Sequence, residues 1–194
     1  MQIIQSPSTN FYKGRFGYKP ELIVVHCTDG FFPSDLAWLR GSGTSQVSSS
    51  YYIAPDSAVH QLVDDANGAW HAGVLANPTA KLLKKNAAGV FINPNWYTLG
   101  IEVSLRPPAV SPAAQWQALK ELVVHLATKH GIPIDRDHII GHKEIRATKT
   151  CPGTINVDQL VVELSSPAPL PVPPSNMVDK EEFKLKIIEA IKNL

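Results

Sequence analysis

Residues 165 to 175 read Ser-Ser-Pro-Ala-Pro-Leu-Pro-Val-Pro-Pro-Ser, and five of the sixteen prolines, Pro167, Pro169, Pro171, Pro173 and Pro174, fall in that short run. A backbone so poor in N–H donors cannot sustain a helix or a sheet and favours extended polyproline geometry. The run is therefore a linker, residues 166–175, and everything that folds around one core must come from residues 1–165. That length buries enough apolar surface for a single domain without disulfides.

Composition narrows the class further. The chain carries 18 basic and 17 acidic side chains for a net charge of +1, with 44% hydrophobic residues. Such a balance excludes a disordered chain and lacks the basic excess of a nucleic-acid binder. No window reaches the roughly 18 apolar residues that span a bilayer, and Met1 to Asn10 lack the charged start and apolar run of a signal peptide. The expectation is a product made in the cytoplasm. Beyond the linker, residues 176–194 place Phe183, Ile187, Ile188, Ile191 and Leu194 at helical spacing, with Asp179, Glu181 and Glu182 at the start where the helix dipole favours acids. This predicts a short amphipathic helix that packs on the main domain or on a second copy; attachment to a wall or membrane surface is the other reading. A monomer is expected, with dimerisation through this helix as the alternative.

Within the main domain, Glu21-Leu-Ile-Val-Val-His26 is a β-branched apolar run and predicts a buried strand. Further strands are expected at Tyr51 to Ala54, Val59 to Val63 and Leu99 to Ser104. A long helix follows Ser111, with Pro112 suited to its first turn, Trp116, Leu119, Leu122, Val123 and Leu126 on one face and Gly131 as a stop. Shorter helices are expected at Ser34 to Arg40, Thr79 to Lys85 and Val157 to Leu164. The alternation predicts an α/β domain, a mixed central sheet flanked by helices. The loops at Gly41 to Ser50 and Asn86 to Thr98 are candidate groove walls.

Seven histidines stand in different contexts. His26 ends the first strand, and side chains at strand ends commonly face clefts. His142 ends the short apolar run Ile-Ile-Gly-His, and Cys151 follows in Lys-Thr-Cys-Pro-Gly. Two imidazoles and a thiolate suit zinc, and three protein ligands leave a fourth position open for chemistry. By spacing alone, His26 and Cys151 are more often a satisfied core histidine and a buried thiol.

The residues around these positions carry more. Ile-Val-Val-His26-Cys-Thr, Gln-Leu-Val-Asp-Asp with Ala-Trp-His71-Ala-Gly, Leu-Gly-Ile-Glu102-Val, Gly-His142-Lys-Glu and Lys149-Thr-Cys151-Pro-Gly occur in the order found in zinc N-acetylmuramoyl-L-alanine amidases. From about Glu21 to Leu164 the chain resembles this family, which includes phage lysozyme-type endolysins, bacterial recycling amidases and animal peptidoglycan recognition proteins. The resemblance implies that His26, His142 and Cys151 hold Zn2+. It implies that Glu102 is the acid–base group and that Lys149 stabilises the oxyanion. His71, Trp70 and Tyr51 are implied on the substrate side of the groove. Phage members of the lysozyme type use a tyrosine for proton transfer, and both Tyr51 and Tyr52 lie in the corresponding strand. The other four histidines, His60, His125, His130 and His138, are read as structural. The implied substrate is the amide between N-acetylmuramic acid and L-alanine, with glycan strand and stem peptide as partners. A thiolate as third ligand and the linker fit a phage or prophage endolysin acting on the cell wall.

Three alternatives stay open at this point. One is a cytoplasmic enzyme of muropeptide recycling. Another is a Cys–His hydrolase with Cys151 as nucleophile, disfavoured by Pro152 and by the second histidine it leaves unused. The third is a peptidoglycan-binding module without turnover, for which Glu102, Lys149 and Cys151 would serve no purpose. Cys27, next to His26 on the strand, should point to the opposite face as a core thiol.

Overall fold

A computed structural model describes residues 1–166. The proline-rich linker and the C-terminal helix expected beyond them lie outside the described residues. Eight strands and three helices follow in the order β1 (Ile3–Gln5), β2 (Phe11–Tyr12), β3 (Leu22–Cys27), α1 (Ser34–Leu39), β4 (Tyr51–Ile53), β5 (Val59–Gln61), β6 (Gly68–Ala69), β7 (Thr98–Val103), α2 (Ala113–His130), β8 (Ile139–Gly141) and α3 (Val157–Ser165). Six strands form one mixed sheet in the order β1-β5-β4-β7-β3-β8, in which only the β4–β5 pair is antiparallel. β2 and β6 pair as a separate ribbon.

Strand parity divides the core. Ile23, Val25 and Cys27 of β3, with Leu99, Ile101 and Val103 of β7, face Leu119, Leu122, Val123 and Leu126 of α2 and Leu160 of α3. Each such side chain removed from water contributes about 1.5–3 kcal/mol. On the other face, Leu22 and Val24 pack with Ala72, Tyr97, Ile140 and Ile145, while Tyr52, Ala54 and Leu62 pack with Leu39 of α1. Because β3 and β7 are buried on both faces, they read in the sequence as continuous apolar runs, as parallel central strands do. α2 is capped by Pro112 before its first residue and by Gly131 after its last, whose φ of 66° closes the final turn.

The helix expected at Thr79 to Lys85 does not form. Its backbone donors are taken elsewhere: Thr79 and Ala80 N–H donate to Glu144 O, and Lys84 N–H donates to the Tyr97 hydroxyl. Lys84 O in turn accepts from Ile92 N–H, and Lys85 bridges Phe91, so the segment is laced to its neighbours rather than to itself. Strands β1, β2, β6 and β8 are additional to the four strands that the sequence pattern predicts. No helix among the described residues is long and apolar enough to cross a membrane.

Candidate active site

Parallel register builds the site. His26 on β3 lies opposite Glu102 on β7, and Glu102 lies opposite Tyr52 on β4, so the three occupy one face near the C-terminal ends of their strands. Ligands in parallel sheets are commonly met at that end. β8 runs alongside β3 with Gly141 opposite Val25, which delivers His142 beside His26; the two ring centroids are 4.5 Å apart. Cys151 returns on the loop after β8, fastened by the Lys143 N–H bond to Cys151 O at 2.9 Å. Gly141 is required for that return. A Cβ there would lie 2.7 Å from Pro152 Cδ, so the glycine preceding His142 makes room for the proline following Cys151.

One donor atom each from His26, His142 and Cys151 comes within 4.8 Å of the others, and this is the cluster of metal-binding type among the described residues. The remaining polar atoms of the trio are already engaged. His142 Nε2 is 3.1 Å from Ala72 O, and since a carbonyl only accepts, the ring must donate there and keep its Nδ1 lone pair free. His26 presents Nδ1 to the cluster, 3.6 Å from Cys151 Sγ and 3.8 Å from Glu102 Oε1. The Cys27 N–H donates to Cys151 Sγ at 3.3 Å. Two imidazole nitrogens and one sulfur, converging and otherwise satisfied, fit a divalent metal of the zinc type.

The electrostatics agree with that fit. Burial, reinforced by the neighbouring His142 and His71, holds His26 far below the ordinary histidine value, and burial likewise lowers His142. Both rings are thus neutral at physiological pH, the form in which imidazole binds a metal. The Cys151 thiol is raised by its hydrogen-bonding neighbour Cys27, by burial and by Glu102, so its thiolate calls for a cation. Burial, with Cys27 and Asp35 nearby, pushes Glu102 up to about 8, while the charge of Lys149 pulls it down. Glu102 Oε2 is buried without a hydrogen-bond partner among the described residues. Such a carboxyl is suited to exchanging protons near neutral pH. Lys149 is exposed, two residues before Cys151, and its charge also acts on His26 and His142.

Of the residues expected on the substrate side or in proton transfer, Tyr51, Tyr52 and His71 have their polar atoms engaged within the fold. Tyr51 lies opposite Ile101 on the other face, fully buried, with its hydroxyl donating to Asp65 Oδ1 at 2.8 Å; alternation along β4 turns it away from the cluster. Tyr52 shares the face of Glu102, but its hydroxyl donates to Asp35 Oδ1 at 2.9 Å and burial raises its pKa, so it is a poor proton carrier. His71 is buried behind His26 with both ring nitrogens engaged, Nδ1 at 3.0 Å from His26 Nε2 and Nε2 at 3.0 Å from Thr98 Oγ1, which leaves none for a substrate. Trp70 packs edge-on against Tyr12 at 5.5 Å.

Several supporting residues carried no recognisable sequence signal. Asp35, near the start of α1, accepts from Thr28 Oγ1, Tyr52 Oη, Ser104 Oγ and the Leu36 N–H, tying the ends of β3, β4 and β7 together. Asn95 Oδ1 accepts the N–H groups of His71 and Ala72 at 3.1 and 2.9 Å. The Asn-Pro-Asn sequence at residues 93–95 is the one local hint, since such residues build capped turns. Cys27 joins the core beneath α2, as its strand parity predicts, and both cysteines are free thiols.

The same fold occurs in solved proteins that include an endolysin and an N-acetylmuramyl-L-alanine amidase. The structure of a selenomethionine derivative of AmpD aligns with a TM-score of 0.67 at 23% identity, over 84% of this chain and 94% of that one. A mutant endolysin from Bacillus subtilis aligns with a TM-score of 0.61 at 21% identity, over 85% and 99%. AmiD from E. coli, solved with the substrate anhydro-N-acetylmuramic acid-L-Ala-D-gamma-Glu-L-Lys, aligns with a TM-score of 0.59 at 26% identity, over 76% of this chain and 58% of AmiD. No curated protein sequence matches. A sequence model of the N-acetylmuramoyl-L-alanine amidases matches residues 16–154, and the chain belongs to that family.

Proposed function

We propose that the protein is a zinc-dependent amidase that cuts between N-acetylmuramic acid and L-alanine in peptidoglycan, working as a phage or prophage endolysin. The observation that carries this reading is the convergence of His26, His142 and Cys151 within 4.8 Å, with Glu102 beside them. These three residues would hold the ion, and zinc at such a site polarises a carbonyl and lowers the pKa of water from about 15.7 towards 7. Cys151 as third donor and the structural likeness to endolysins support the endolysin setting.

The chain's own groups then divide the work. Glu102 takes the proton of the attacking water and delivers one to the nitrogen of L-alanine as the C–N bond breaks and the new C–O bond forms. Its raised affinity for protons suits both halves of that transfer. Lys149 contributes positive charge where the carbonyl oxygen gains negative charge in the transition state, which lowers the barrier rather than merely tightening binding. Asp35 holds Tyr52, Thr28 and Ser104 fixed around the strand ends.

Chelation is expected to abolish turnover and added zinc to restore it. Mass spectrometry of digested sacculi should show glycan separated from stem peptide at the lactyl amide. Full activity in metal-free protein would overturn the zinc reading. Faster hydrolysis of soluble muropeptides than of intact sacculi would move the assignment from endolysin to recycling enzyme.

A further inference from the structure

His71 lies in a chain of hydrogen bonds whose direction can be worked out from one end. Thr98 Oγ1 donates its single proton to Pro94 O at 2.8 Å, since a carbonyl only accepts. The same oxygen, 3.0 Å from His71 Nε2, must therefore accept, and His71 carries its proton on Nε2. In a neutral ring that leaves His71 Nδ1 as a lone pair, facing His26 Nε2 at 3.0 Å. His26 must then donate from Nε2, which bares its Nδ1 lone pair towards Cys151 and Glu102.

We infer that His71 is a positioning residue that selects the Nε2–H tautomer of His26 and so presets the lone pair a metal requires. This rests on the reading of His26 as a metal ligand. The support extends to the second histidine: Ala72 O fixes His142 in the same sense, so residues 71 and 72 together orient both imidazoles. Asn95 Oδ1 holds the N–H groups of both residues, which anchors this two-residue template to the turn at 94–96. The strand beneath is shaped for it. A Cβ at Gly100 would lie 2.5 Å from His71 Cγ, so the glycine two residues before Glu102 is the bed on which the ring rests. Outer partners that hold metal-ligating histidines commonly govern affinity by about 10–100-fold.

The test uses the full chain. In long-range 1H–15N spectra of the metal-free protein at neutral pH, His26 and His71 should each carry their proton on Nε2; a proton on Nδ1 of either ring overturns the relay. His71→Leu should weaken zinc, measured against a competing chelator, by about 10–100-fold, while His71→Asn, which keeps an acceptor near the Nδ1 position, should recover most of that loss. Melting curves identify a variant that fails to fold, in which case the spectra and the Asn variant decide. Wild-type zinc affinity in folded His71→Leu overturns the positioning role. Failure of the wild-type chain itself to bind zinc overturns the ligand reading instead.

Discussion

Glu102 shows how a single position on a strand acquires chemistry. Its neighbours in Leu-Gly-Ile-Glu-Val are apolar, the strand is buried on both faces, and register sets the carboxyl opposite His26 with one oxygen left without a partner among the described residues. Glu102→Ala should lower turnover by at least about 100-fold, the scale of a positioned acid–base group, while bound zinc measured by elemental analysis stays the same. An unchanged rate would remove Glu102 from the chemistry. The motif made this residue legible, as it did His26, His142 and Cys151. It could not separate Tyr51 from Tyr52, because a one-residue step along a strand turns a side chain to the opposite face. Nor could it show that His71 has no nitrogen to offer a substrate, since its partners Thr98 and His26 reach it through the fold.

At the scale of elements, the site depends on β8 and the loop behind it. Three residues of strand bring His142 alongside β3, and the loop brings Cys151 back through the contact between Gly141 and Pro152. Gly141→Ala should displace Pro152 and with it the sulfur, weakening zinc by about tenfold or more, the scale at which altered ligand support is felt, with melting temperature changed by only a few degrees. Equal zinc affinity in the variant would show that the loop adapts. Long elements were readable for a physical reason: β3, β7, α2 and α3 each bury a stretch long enough to impose its period. β6 and β8 are short runs with no polar–apolar alternation to mark them as strands, Gly68-Ala69 and Ile139-Ile-Gly141, and the Thr79 to Lys85 segment, apolar and polar at helical spacing, is overruled by donors spent on Glu144 and Tyr97.

Across the whole molecule, the face opposite the site is held by a second polar centre. Buried Asp65 accepts from Lys129 and His130, in the last turn of α2, and from the Tyr51 hydroxyl, each at 2.8 Å. Burial by itself would raise its pKa, but these hydrogen bonds outweigh it and the value falls below that of an ordinary carboxyl. A lowered folded-state pKa gives stability that is complete above the unfolded value and is lost as pH falls through the folded one. Asp65→Asn should therefore reduce unfolding free energy by about 2 kcal/mol at pH 7, the scale of a hydrogen-bonded charge. The difference should narrow in denaturant titrations carried below about pH 4. A constant difference across that range would assign the effect to packing.

The donor set is drawn from distant parts of the sequence: His26 and Cys151 are 125 residues apart, brought together by the parallel pairing of β3 with β8 and the loop that follows. During synthesis the first ligand emerges early and the third arrives only when nearly the whole domain has left the ribosome. Chains grow at about 5–20 residues per second, so the nascent protein spends several seconds with an unfinished site. The three-donor cluster is thus completed late in biogenesis, and a chain interrupted before Cys151 lacks its third donor.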